Sequence, residues 1–398
     1  MKTEVFAHPL SFRTAPQKQA ERLRAAGADR VRLAYAYHGG RWLLTTSDPA
    51  AVADFAPGRW FARDSERDND DSLGASLPVL GDDATAAAAA LAAAGIAVTG
   101  WLVGLHQSQL ATNRPDLALF NAFGHPYRHA LCPAQPEVVR YAAGLVAQTA
   151  RQPQVDGLEL EAFAYLGWHH QSAHDKFGVQ LRPADRWLLS LCFCTACSTR
   201  LADAAETAGR ARRAVLAQLA EPQPSGGIAQ DAVAALGRDL HDAVLAMRAN
   251  VTAELVTASA HASGGLPVSV RVTDDPYACN GKSAGDLYAL AEAAGSLTVT
   301  NLEGDAAALR RDLVAASRTA VPVTAGWNLG AAATSDEEDL QDIAKDAHTY
   351  GAASLVLYAY DLAPAPRLKW LRDLPTNTES LGTASPERHP NAQTEPAT

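Results

Sequence analysis

The chain has 398 residues, is 47% hydrophobic and carries a formal charge of −10, so it can bury a large core, as one barrel with insertions or as two smaller domains. Acidic residues are scattered along it, and no basic face is available for nucleic acid or an anionic membrane. No run of 18 apolar residues occurs, and the N-terminus MKTEVFAHPLSF lacks the apolar stretch of a signal peptide, so the sequence reads as a soluble cytoplasmic protein.

In chain order, eight short apolar runs read as strands: Glu4–Leu10, Arg30–His38, Ile96–His106, Val155–Phe163, Leu266–Asp274, Ser296–Glu303, Val321–Asn328 and Ser354–Leu362. Most are continuously apolar, as expected of parallel strands covered on both faces. Helical stretches alternate with them: Pro16–Ala28, Ala84–Ala94, Pro136–Gln152, Ala284–Ala294, Asp305–Thr319 and Asp336–Tyr350. Gly27, Gly95, Gly295 and Gly351 stand where helices end before a strand, the place of a helix C-cap. Strict alternation of eight strands with helices predicts a (β/α)8 TIM barrel. A doubly wound sheet is disfavoured, because no GxGxxG follows the first strand.

Two insertions interrupt the pattern. Residues 39 to 81, after the second strand, include the acidic stretch Asp64–Asp71, read as a solvated loop with a calcium site as the alternative. The second, from Ala164 to about Ile228, ends near the breaker Pro222–Gly227, after which a single long helix is expected from about Gln230 to His261. Residues 1–374 are expected to form one barrel. The tail 375–398 is rich in Pro, Thr, Ser and Glu and is expected to be disordered.

Five cysteines are too few for a disulfide framework in a chain of this size, and three fall within six residues: Cys192, Cys194 and Cys197, a C-x-C-x-x-C group. Thiolates so spaced can turn toward one ion, and a tetrahedral zinc site needs a fourth. Cys132 supplies it if the loops after the third and fourth strands are neighbours at one rim, as in a barrel. Cys279 reads as a simple thiol.

These residues resemble the zinc site of the family 42 β-galactosidases, themselves (β/α)8 barrels of the glycoside-hydrolase superfamily. That family carries Cys-Pro-x-x-Pro ahead of the helix leading to the fourth strand, here Cys132-Pro133-Ala134-Gln135-Pro136, and C-x-C-x-x-C after that strand, here Cys192 to Cys197. The resemblance covers residues 131 to 197 and implies a structural zinc, since four thiolates leave no open position for water. The fourth strand, Val155-Asp156-Gly157-Leu158-Glu159-Leu160-Glu161, is also similar to hydrolase-like barrels reading Asp-Gly-apolar-acidic. Two departures matter. The family's Asn-Glu pair at the end of the fourth strand is replaced by Glu161-Ala162-Phe163, and its seventh-strand nucleophile by Gly326-Trp327-Asn328, so β-galactosidase activity does not carry over.

Barrel enzymes work at the C-terminal ends of their strands. Those ends offer His38 and His106, Glu159 and Glu161, Arg271, Asp274 and Asp275, Asn301 and Glu303, Trp327 and Asn328, and Tyr358, Tyr360 and Asp361. Glycosidases need two carboxyl groups flanking the scissile bond. Glu161 and Glu303 are the candidate catalytic pair. The α-galactosidase-like group of barrels, which the layout resembles, likewise pairs acids on its fourth and sixth strands. Glu159, His106, Arg271, Trp327, Asn328, Tyr360 and Asp361 are candidates for substrate binding. The bland alternative for Glu159 is a buried ion pair with Arg271, and for Glu303 a helix cap. Trp101, Trp168, Trp327, Tyr358 and Tyr360 offer flat apolar faces for sugar rings.

A carbohydrate-active enzyme with a carbohydrate or glycoside ligand is therefore the leading expectation. The alternatives are a non-catalytic saccharide- or protein-binding barrel, and a metal-dependent lyase or isomerase built on His125, His129, His169, His170, His174 and Asp175 with Tyr127 and Arg128 nearby. The sequence leaves a homo-oligomer open.

Overall fold

A computed structural model describes residues 1–46, 50–64, 72–168, 178–330 and 332–374. The acidic stretch beyond Asp64, the histidines His169, His170 and His174 with Asp175, and the tail 375–398 lie outside the described residues.

Eight parallel strands close into a barrel: β1 (Lys2–Ala7), β2 (Arg30–Tyr37), β3 (Ala97–Val103), β4 (Val155–Glu161), β5 (Val268–Thr273), β6 (Gly295–Asn301), β7 (Val323–Asn328) and β8 (Ala352–Tyr358). Each pairs with the next, and β8 returns to β1 with Lys2 opposite Ser354. The outer layer is α1 (Pro16–Ala25), α2 (Asp83–Ala93), α3 (Pro136–Ala150), α4 (Arg238–His261), α5 (Leu287–Ala294), α6 (Ala306–Ala316) and α7 (Glu337–Thr349), with a last 3-10 turn at Ala365–Asp373. Strand β5 is buried at every position and β2 at all but its first, as two-sided covering requires. The glycines read as helix stops adopt positive φ: 88° at Gly27, 78° at Gly95, 83° at Gly295 and 94° at Gly351. Only glycine takes that conformation without steric cost.

The expected long helix after the second insertion is two helices, Ile228–Leu236 and α4, broken at Gly237 with φ of 79°. A residue at positive φ cannot continue a right-handed helix, so the chain turns there. Between β2 and α2 lies an antiparallel hairpin, Gly40–Leu44 with Ala51–Phe55. Between β4 and α4, helices Pro183–Leu189 and Ala204–Ala220 build a second apolar cluster around Trp187, Leu188, Val215 and Leu236. Among the described residues no helix is long and apolar enough to cross a membrane.

The barrel interior departs from the apolar strand pattern. Arg32 of β2 is 4% exposed and its guanidinium binds Glu4 Oε2 of β1 at 2.7 Å, Glu159 Oε2 of β4 at 2.5 Å, Thr298 of β6 at 2.7 Å and Thr324 of β7 at 3.0 Å. Burial opposes its charge, but Glu4 and Glu159 outweigh burial and hold Arg32 above its usual value. One side chain thus ties five strands at the barrel floor.

Candidate active site at the barrel mouth

Strand alternation places Glu159 and Glu161 on one inward face, two residues apart. Their surroundings differ. Glu159 is fully buried, held by Arg32 and by the Thr298 hydroxyl at 2.9 Å, with Arg271 Nε 3.9 Å away. Burial pushes its carboxyl up against the pull of Arg32 and Arg271. The partner expected from sequence, Arg271, is engaged one step higher: its Nη1 lies 2.7 Å from Glu161 Oε1. The Trp101 indole N–H donates to Glu161 Oε2 at 2.7 Å. Both oxygens of Glu161 are therefore acceptors, in a geometry that holds the side chain in one rotamer. The next residue, Ala162, has φ of 57°, uncommon for a residue with a side chain. It is fixed by Ala162 N–H to Gly281 O and Leu105 N–H to Ala162 O, both 2.9 Å. Strain of this kind persists only where its surroundings enforce it, and it clusters at functional sites.

Above Glu161 opens a cavity of about 600 Å³, a size suited to a small ligand. Glu161, Arg271 and Glu303 all line it. Tyr37, His38 and Tyr358 form its barrel-side wall, and Trp187, Tyr277 and Cys279 the wall toward the insertion. Burial lowers the His38 imidazole, whose Nδ1 bonds Gly39 O at 2.8 Å, and pushes the Tyr358 phenol up to about 12. Lys282, also on the wall, is lowered by burial. Glu303 is exposed at the rim and has no hydrogen-bond partner among the described residues. It does not cap α6: Asp305 does, accepting from Ala308 N–H at 2.9 Å, while Asn301 Oδ1 holds the turn through Gly304 and Asp305 N–H.

Other sequence candidates lie off this cavity. Glu159 is sealed beneath it by the Arg32 network. Trp327 is fully buried and its indole donates to Thr334 at 2.7 Å. The Tyr360 hydroxyl bonds Gln19 of α1, which turns the ring away from the mouth. Asn328 braces a loop, donating to Leu302 O at 2.9 Å and accepting from Gly330 N–H at 2.8 Å. Asp361 is buried and accepts from His8 N–H at 2.7 Å. His106 packs behind the wall on His38, ring centroids 4.4 Å apart. His129 is buried against Gly167 O at 3.3 Å. Trp168 and His125 line a separate apolar groove. Conversely, Trp187 reaches the mouth from a helix of the insertion, and Tyr277 and Lys282 from the segment after β5, where the sequence carries no strand-end signal. Helix Pro183–Leu189 presents Trp187 because Asp185 closes its first turn onto Arg182 N–H at 3.0 Å.

Cys132, Cys192, Cys194 and Cys197 come together, all buried, their sulfurs within 4.8 Å of one another. Cys132 Sγ lies 3.4 Å from Cys197, 3.7 Å from Cys192 and 3.6 Å from Cys194. A tetrahedron of zinc–sulfur bonds near 2.3 Å has edges of about 3.8 Å, so the set fits a zinc-sized ion. Phe120 N–H points at Cys192 Sγ (3.4 Å) and the Tyr165 hydroxyl lies 3.3 Å from Cys197 Sγ. Among the described residues it is the one His, Cys and carboxylate cluster with metal-binding geometry.

No family model matches the chain, and no curated protein does. Solved structures do. The β-galactosidase of the psychrophilic Marinomonas ef1 aligns over 94% of this chain and 59% of its own, with TM-score 0.59 and 11% identity. The PgaB (BpsB) glycoside hydrolase domain of Bordetella bronchiseptica aligns over 94% and 98%, with TM-score 0.56 and 14% identity. α-L-Fucosidase isoenzyme 2 of Paenibacillus thiaminolyticus aligns over 93% and 48%, with TM-score 0.54 and 12% identity. The fold shared with these structures is the (β/α)8 barrel. At these identities the likeness concerns architecture, and the chain spans about half of the fucosidase and three fifths of the galactosidase.

Proposed function

We propose that the protein is a glycoside hydrolase or a closely related carbohydrate-active enzyme, with Glu161 as its central catalytic carboxylate. The observation that carries this reading is the setting of Glu161: the end of β4, facing a cavity of about 600 Å³, both oxygens held by Arg271 and Trp101. A carboxylate whose two oxygens accept hydrogen bonds suits the role of nucleophile or charge stabiliser beside an oxocarbenium-like transition state. Glu303 is the second carboxyl of the pair, brought to the bond from the rim. Tyr37, Tyr358 and Trp187 supply the apolar faces that sugar rings need.

The four cysteines, we further propose, hold a structural zinc, as the resemblance to the family 42 galactosidases implies. Such an ion supplies folding energy rather than reactivity. Thiols committed to a metal fit a reducing compartment, in line with a cytoplasmic protein.

A second reading, a saccharide-binding barrel without catalysis, is favoured by the missing carboxylate at the end of β7 and by the lack of hydrogen bonds fixing Glu303. A panel of aryl glycosides and oligosaccharides, run on wild type and Glu161→Gln, tests both. Hydrolysis lost in the variant at unchanged melting temperature supports the enzyme. Saccharide binding by calorimetry without hydrolysis in the wild type supports the binding barrel.

A further inference from the structure

The cavity wall holds a hydrogen-bonded chain that the carboxylate pair does not use. His241 and Asp242 are consecutive residues near the start of α4, and Tyr277 lies in the loop after β5. Asp242 Oδ1 is 2.7 Å from His241 Nδ1, and His241 Nε2 is 2.8 Å from the Tyr277 hydroxyl. A carboxylate only accepts, so Nδ1 carries the imidazole proton. Nε2 is then a lone pair, and the phenol donates to it. The His241 side chain is 6% exposed and Asp242 58%. The ring packs against Trp187 and Tyr277, each at a centroid distance of 5.9 Å, while those two rings sit 5.2 Å from each other, and Tyr277 lines the cavity. The chain therefore runs from solvent, through a sheltered imidazole, to the space where a ligand would sit.

We propose that Tyr277 is a general base of this site, acting on a hydroxyl of water or sugar bound in the cavity, with His241 taking its proton and Asp242 orienting the imidazole. The identity of that hydroxyl rests on the carbohydrate reading. In the step, the ligand O–H bond breaks and its proton joins the Tyr277 oxygen as the phenol's own proton passes to His241 Nε2. The products are an imidazolium beside the Asp242 carboxylate and a deprotonated ligand oxygen that keeps the electron pair of the broken O–H bond. The reverse transfer restores the resting state. Burial, then Asp275 and Asp242, raise the Tyr277 phenol, and Arg238 acts the other way, so at neutral pH the residue keeps its proton until His241 removes it.

Tyr277→Phe and His241→Gln in the full chain, with side-chain nitrogen NMR of the histidines in wild type and His241→Gln, test the proposal. The His241 signals are expected to show a protonated Nδ1 and an accepting Nε2. Each variant should lower kcat by about 10²–10⁴-fold with KM and melting temperature little changed, the range general acid–base groups supply. A protonated Nε2 in the wild type, or a Tyr277→Phe enzyme with undiminished kcat, overturns the proposal. If the wild type cleaves no glycoside, the hydrolase reading falls and the tautomer decides: protonated Nδ1 supports the proton chain, protonated Nε2 refutes it.

Discussion

Asp361 illustrates how much one side chain depends on where its strand stops. Its place just beyond β8 makes it a candidate for ligand binding by sequence, yet it is sealed in the wall, and burial pushes its carboxyl from 3.8 to about 7. A carboxyl raised in the folded state binds its proton more tightly folded than unfolded. Its contribution is therefore complete below about pH 4 and lost as pH rises through 7, a difference of about 4 kcal/mol across that window. Asp361→Asn keeps an acceptor for His8 N–H and removes the titration. The variant should melt higher than wild type at pH 8, with the gap narrowing as pH falls and closing only near pH 4. Parallel pH slopes in the two melting curves would refute this. Glu161 shows the opposite case. Its inward direction followed from alternation along β4, but its partners did not: Trp101 and Arg271 sit on neighbouring strands, and only the register sets them beside it. The same holds for Glu159: the expected pairing with Arg271 is present at 3.9 Å, but the shorter contact is with Arg32, 127 positions away.

Among elements, the cysteine loops were the most legible part of the chain, because metal-ligand spacing is local and barrel order makes the third and fourth loops neighbours. The eight strands were legible for a similar reason: each is a largely apolar run, β2, β3 and β8 each follow a glycine helix stop, and β6 begins on one. The break at Gly237 was not, since Ile228–Leu236 and α4 share helical composition and a single glycine is often tolerated inside a helix. The walls made by Trp187 and Tyr277 were not legible either, because an insertion's docking onto the mouth depends on tertiary contacts alone. The cysteine site has its own prediction. Purified protein should carry about one zinc per chain. Cys194→Ser should lose the ion and melt well below wild type. Tyr165→Phe, which removes the hydroxyl 3.3 Å from Cys197 Sγ, should weaken zinc binding about 10–100-fold, as loss of an outer hydrogen bond does. Metal-free protein with four freely titrating thiols in the native state would remove the zinc from the account.

For the whole molecule, the decisive group is Arg32. Its contacts join β1, β2, β4, β6 and β7, so it links strands at opposite sides of the ring. Arg32→Met preserves much of the side-chain volume but strands Glu4 and Glu159 in the interior. Removing one partner of a buried ion pair typically costs about 3–5 kcal/mol. Denaturant unfolding should show a loss of that size, and adding Glu4→Gln and Glu159→Gln should recover part of it. A variant as stable as wild type would mean that water reaches the barrel floor.

That floor also sets the electrical character of the mouth. Glu4, Arg32, Glu159, Arg271 and Glu161 alternate in sign up the barrel axis, three carboxylates against two guanidiniums, so with all five ionised the column carries one negative charge in excess and ends on a carboxylate. Field lines from a source inside protein are weakened far less by dissolved ions than those from surface residues. A bound molecule that acquires positive charge near Glu161 is thus drawn downward by the whole column, and added salt would do little to loosen that hold.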